Sequence, residues 1–149
     1  MDAAMKQTIL DLLHSHNVLR LGTLRGDGYP QVTTVEYAND DLTIYVATDK
    51  DSQKAYNIRH HSKVSLAIDR DYADWNKIRG LSMAATAEVL DDRQEIAHAL
   101  ALLASKFPAH AALFDPREAD GMAILRITPR VISVIDYTRE FGHTDEVTL

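Results

Sequence analysis

The 149-residue chain carries 16 basic and 22 acidic residues, no cysteine and 46% hydrophobic residues, the profile of one folded domain that removes roughly 70% of its extended-chain surface from water without cross-links. The lack of cysteine excludes thiolate zinc sites, iron–sulfur clusters and thiol nucleophiles. A net charge of −6 runs against binding to a phosphate backbone, and no run of about 18 apolar residues is available to cross a bilayer, so a cytoplasmic protein with neither nucleic-acid nor membrane partners is expected.

Met5, Ile9, Leu12, Leu13 and His16 recur at helical spacing over residues 3–16, predicting an amphipathic helix that lies on a sheet. Val18–Leu24 and Gln31–Ala38 alternate β-branched with other residues, and the intervening Arg25-Gly26-Asp27-Gly28-Tyr29-Pro30 predicts a tight reversal in which the glycines supply positive φ. Asn39-Asp40-Asp41 is a second turn, leading into Leu42–Thr48 as the third strand of a meander. Ser52 caps a helix running to His61, with Ala55, Ile58 and Tyr56 turned inward and Arg59, His60 and His61 at its C-terminal end. Val64–Asp69 returns as a strand.

Gly80–Leu90 is rich in small residues and reads as a strand that another backbone or a flat ligand can approach closely. Asp92 caps a helix over Arg93–Lys106, with Ile96, Leu100, Leu103 and Phe107 along one face and Phe107-Pro108 as its stop. A turn through Leu113 and Phe114 precedes strands around Pro129, between Ala123 and Tyr137, and residues 138–149 read as a polar tail. Five or six short strands with hairpin turns predict a mainly β protein, a small antiparallel barrel flanked by α-helices in a single domain over 1–149.

Charge is uneven. Between Lys50 and Arg79 stand seven basic and four acidic residues, a local +3 that leaves the remainder at −9 and attracts small anions. At its start, Thr48, Ser52 and Lys54 bracket the end of a strand and the start of a helix, where backbone N–H groups, hydroxyls and an ammonium together suit a phosphate.

The segment VLRLGTLRGDGYPQVTTVEYANDDLTIYVATDKDSQKAYNIRHHSKVSLAI, followed by GLSMAATAEVL, a helix and a final strand pair, resembles the FMN-binding split barrels that include pyridoxamine 5'-phosphate oxidase. The matching motifs are Gly28-x-Pro30-x-Val32, Thr48-x-x-x-Ser52-x-Lys54 and Asn57-Ile58-Arg59 with Val64-Ser65-Leu66. The resemblance implies a split β-barrel of Greek-key type, a homodimer with flavin at the subunit interface, and oxidoreductase chemistry on a small organic substrate with a nicotinamide donor. It places Gln31, Val32, Thr33 and Thr34 along the flavin, Thr48, Ser52, Gln53 and Lys54 at its phosphate, and Arg79 and Gly80 near its ring. Trp75, Tyr137, Phe141 and His143 are the residues expected to complete the partner's pocket, with His143 or Tyr137 as proton donor.

Three departures matter, the first being Gln31, which stands where the oxidases carry an arginine. Gln53 stands where the family often has arginine, removing one bidentate phosphate clamp. The chain closes with DYTREFGHTDEV in place of the oxidases' R-L-H-D-R segment, which argues against vitamin B6 phosphate oxidation itself. The alternatives on the same fold are an F420-dependent reductase and a non-enzymatic flavin or haem module, the latter with a residue such as His143 as axial ligand. His14, His16, His98 and His110 lack the spacing of a metal set, and Glu95 with His98 is read as a surface pair, so no metal site is assigned.

Overall fold

The computed structural model describes residues 1–149. Strand β1 (Val18–Leu24) turns Leu19, Leu21 and Thr23 inward and Arg20 and Gly22 outward, the alternation required of a sheet with one buried face. It is followed by β2 (Pro30–Glu36), β3 (Ala38–Asp40), β4 (Thr43–Asp49), β5 (Lys63–Ile68), β6 (Arg79–Val89), β7 (Met122–Asp136) and β8 (Thr144–Thr148). All pairings are antiparallel, in the order β2-β1-β5-β6-β7-β4-β3, with β8 added to β7.

The long strand β7 organises this order. Its first half pairs with β4, from Ile44↔Ile127 to Asp49↔Met122, and its second half with β8, while β6 pairs with its other edge from Leu125 to Asp136. Where Ala84 opposes Val131 and Ala85 opposes Pro129, Arg130 is the extra residue of a bulge. The break falls beside a proline, which has no N–H to donate to a ladder.

Helix α1 (Ala3–Ser15) is capped by Asp2, whose carboxylate accepts from Met5 N at 2.7 Å. It lays Ile9, Leu12 and Leu13 on the barrel core, among Leu19, Leu21, Ile44, Ile68, Leu81 and Ile127. A second, smaller core gathers Leu100, Leu103 and Phe114 under α3 (Arg93–Lys106) against Tyr45 and Ile124. Helix α2 (Gln53–His60) packs on β1 and β6. No helix is long and apolar enough to cross a membrane.

Several expectations need correction. The first strands do not form a three-stranded meander: β1 and β2 make the hairpin, whereas β4 pairs with β3 and β7. The expected second strand stops at Glu36, and after Tyr37 the chain re-pairs as β3, turning at Asp41 with φ 51°. In the first hairpin only Gly28 has positive φ, at 89°. Tyr56 faces solvent beside His60, because one buried stripe of an eight-residue helix is filled by Ala55, Asn57 and Ile58. The polar tail is ordered as β8, whose backbone groups complete the free edge of β7 although its side chains are mostly polar. His16 is buried, with Nδ1 2.8 Å from the Leu12 carbonyl and Arg70 Nε donating to Nε2 at 3.3 Å. Glu95 bonds Tyr45 and Arg126 rather than His98, whose ring meets Asp40.

Candidate functional site

The sheet does not close. Strand β2 pairs only with β1, and β3 ends at Ala38↔Tyr45, so Val46–Asp49 of β4 has no strand on its outer edge. These two free edges approach one another without sharing a ladder. The split is a seam bordered by backbone N–H and C=O groups that no strand satisfies, an arrangement proteins otherwise cover. Along it lies a cleft of about 350 Å³ lined by Thr34, Val35 and Glu36 of β2, Ala47 of β4, and His110 and Phe114 of the 3-10 turn after α3.

At one end of the seam, α2 begins. Ser52 Oγ accepts from Ala55 N at 3.3 Å and from Thr48 Oγ1 at 3.3 Å, and Lys54 Nζ donates to Thr48 Oγ1 at 3.5 Å. The amides of Gln53 and Lys54 have no acceptor, as first-turn amides do not. Lys54 is in no ion pair with a carboxylate, so two free amides, two hydroxyls and an unpaired ammonium sit together at the positive end of a helix dipole.

Behind them stands Asn57, 1% exposed, which sequence reasoning had not assigned to the site. Its Nδ2 donates to Thr23 Oγ1 at 2.9 Å and to Gln31 Oε1 at 3.5 Å, and its Oδ1 accepts from Gln53 Nε2 at 2.7 Å. The side chain therefore ties α2 to β1 and β2, and the Gln53 amide is engaged there rather than beside Lys54. A buried asparagine needs partners on all its polar atoms, and the Asn57-Ile58-Arg59 motif was the signal that could have found it. One residue along the same face of β2, Thr33 Oγ1 is buried without a hydrogen-bond partner.

The remaining expected site residues lie at the other end of the barrel. Trp75 and Phe141 stack with ring planes 3° apart and centroids 6.3 Å apart, and Tyr137 meets Phe141 at 5.3 Å. His143 Nε2 lies 3.0 Å from Asp145 Oδ2, and Arg79 Nε lies 3.7 Å from Asp136. Trp75 and Phe141 are 65% and 60% exposed. Gly80 has its own structural reason: a Cβ there would sit 2.4 Å from the Ile68 carbonyl oxygen. Thr48 is paired with Ala123 near the start of β7, and Tyr137 follows its end, about 45 Å of strand contour away. One chain thus separates the phosphate-type cluster from the aromatic one.

The antiparallel sheet with an open seam and flanking helices defines a split β-barrel. The family model for pyridoxamine 5'-phosphate oxidase matches residues 5–136, and the chain belongs to that family. It is 26% identical over 136 residues to General stress protein 26 of Bacillus subtilis (strain 168), covering 89% of each chain. Among solved structures, a conserved hypothetical protein from Mycobacterium tuberculosis superposes with a TM-score of 0.79 at 24% identity, over 93% of this chain and 87% of that one. A heme binding protein from Mycobacterium smegmatis superposes with a TM-score of 0.79 at 20% identity; 99% of this chain is covered, but only 58% of that longer protein.

Proposed function

We propose that this chain binds FMN along the β2–β4 seam as a homodimer and acts as an oxidoreductase on a small organic substrate, with a nicotinamide or similar donor. The observation that carries this reading is the pair of unsatisfied strand edges ending at the unpaired Lys54 cluster. The residues present fit the group. Lys54, Thr48, Ser52 and the first amides of α2 supply donors for a phosphate, and β2 offers free backbone groups and the unpartnered Thr33 hydroxyl for a polar ring edge and polyol chain.

A bound flavin would supply hydride transfer itself. The chain's own residues would anchor the phosphate, orient the ring against β2 and exclude water from it. The last task would fall to a second copy, whose Trp75, Tyr137 and Phe141 form an exposed aromatic face beyond the end of β7, away from the Thr48 end of β4. His143, held by Asp145, or the Tyr137 hydroxyl would donate the proton. The outer sheet face supports the dimer as well: Leu24 and Val32 are 39% and 64% exposed beside Gly22 and Ala84, apolar side chains that a second copy would cover.

Titration with FMN, followed by quenching of flavin fluorescence, tests the reading. Replacing Lys54 with alanine removes a charged hydrogen bond worth about 1.5–3 kcal/mol and should weaken binding more than tenfold; unchanged affinity would remove the phosphate assignment. Saturable F420 binding without FMN binding would instead favour the reductase alternative. A haem module is the second reading, favoured by the His143–Asp145 pair, which has the form of an oriented axial imidazole, and by the similarity to a heme binding protein. A Soret band lost in His143→Ala would establish it.

A further inference from the structure

Adjoining the seam cleft only at Met122, which lines both, lies a hollow of about 630 Å³, floored by the end of β6 and the start of β7 and walled by α3. We propose that it is a second binding site, for an organic anion that joins one singly charged head, such as a carboxylate or sulfonate, to an apolar body.

Three cations from three elements line it: Lys50 from the β4–α2 loop, Arg59 from α2 and Arg93 from the first turn of α3. None is in an ion pair. Arg59 Nη1 donates to the Lys50 carbonyl oxygen at 3.1 Å, and the Lys50 ammonium and the Arg93 guanidinium have no protein partner. In a chain with six more acidic than basic residues, three such groups around one hollow are not the product of a general excess of positive charge. Two of them, Lys50 and Arg59, belong to the basic stretch noted in the sequence, and the side chain of neither is hydrogen-bonded to Thr48, Ser52 or Lys54.

The lining also decides the ligand class. Asp91 and Asp120 stand at the hollow without approaching the cations to ion-pair distance, so the charged lining nets +1, which suits a monoanion better than a phosphate dianion. Guanidinium forks match planar or trigonal oxyanions. The other walls are Val89, Leu90, Ile96 and Met122, an apolar surface that a bare inorganic ion cannot use. The volume falls in the range of small-molecule sites.

The probe is anilinonaphthalene sulfonate, a sulfonate on an aromatic body, whose fluorescence rises on leaving water. The full chain should bind it saturably, and decanoate should displace it, whereas inorganic phosphate at equal concentration should not. Arg59→Gln with Arg93→Gln should raise the dissociation constant at least tenfold. Ala97→Trp fills the hollow from an exposed helix position and should abolish binding with the charges intact. Lys54→Ala should leave probe affinity unchanged, which separates this site from the seam whether or not the seam holds FMN. Circular dichroism checks that each variant is folded. Absence of saturable binding, retention of affinity in both hollow variants, equal loss in Lys54→Ala, or displacement by phosphate alone would each overturn the proposal.

Discussion

Replacing Asn57 with alanine should both destabilise the fold and loosen the seam. Two of its hydrogen bonds are short, to Thr23 at 2.9 Å and from Gln53 at 2.7 Å, and the third, to Gln31, is long at 3.5 Å. At about 1 kcal/mol for each short bond, and with a small void and the 2%-exposed Thr23 hydroxyl left without its partner, the loss is roughly 2–3 kcal/mol. For a chain of this size that corresponds to a fall of about 5–10 °C in Tm. Urea unfolding at fixed protein concentration, which holds any dimer contribution constant, gives the free energy directly. Combining Asn57→Ala with Thr23→Val should cost less than the sum of the two single changes, because the partner left unsatisfied is then also gone. A loss below about 0.5 kcal/mol, within the range of a neutral surface substitution, or strict additivity with Thr23→Val would refute the claim that Asn57 ties α2 to the sheet.

Other consequences are equally direct. Gly80→Ala places a methyl 2.4 Å from the Ile68 carbonyl oxygen, so backbone must move; a stability loss of about 2 kcal/mol or more is expected in the same urea assay. Burial holds the His16 pKa below its ordinary value, the neighbouring Arg70 adding to the effect. The unfolded chain then takes up the proton first as pH falls below about 6.5, so stability should decline with acid below that pH and level off above it; in His16→Asn this component of the pH profile should be absent. Trp75 is the only tryptophan, and if it covers a partner's flavin, saturating FMN should quench intrinsic fluorescence strongly. Unquenched Trp75 emission with FMN bound would place the aromatic face elsewhere.

Much of this molecule is written locally. The alternation of Val18–Leu24, the Asp2, Ser52 and Asp92 caps and the Phe107-Pro108 stop depend on residues within a turn or two of one another, so spacing was enough to place α1, β1, α2 and α3. The Thr48, Ser52 and Lys54 cluster was legible for the same reason: a strand end, a loop and a helix start bring residues six apart together. Strand partnership is another matter. Only the short β3 separates β4 from β2 in the chain, yet β4 pairs with β7 across a separation of some eighty residues and not with β2, and no local pattern distinguishes those two available edges. That choice opens the seam, carries Trp75 and Tyr137 away from Lys54, and leaves β7 with an edge that the polar Thr144–Thr148 can complete through backbone hydrogen bonds alone. Asn57 looked like one more polar residue on a short helix until the sheet behind it supplied Thr23 and Gln31, and Arg93 became a neighbour of Lys50 and Arg59 only when α3 packed on β3 and β4. The sequence by itself determined the elements and the one cluster that local geometry assembles; the tertiary structure decided which edges stay open and which distant charges meet, because those depend on competing long-range pairings rather than on the period of any one segment.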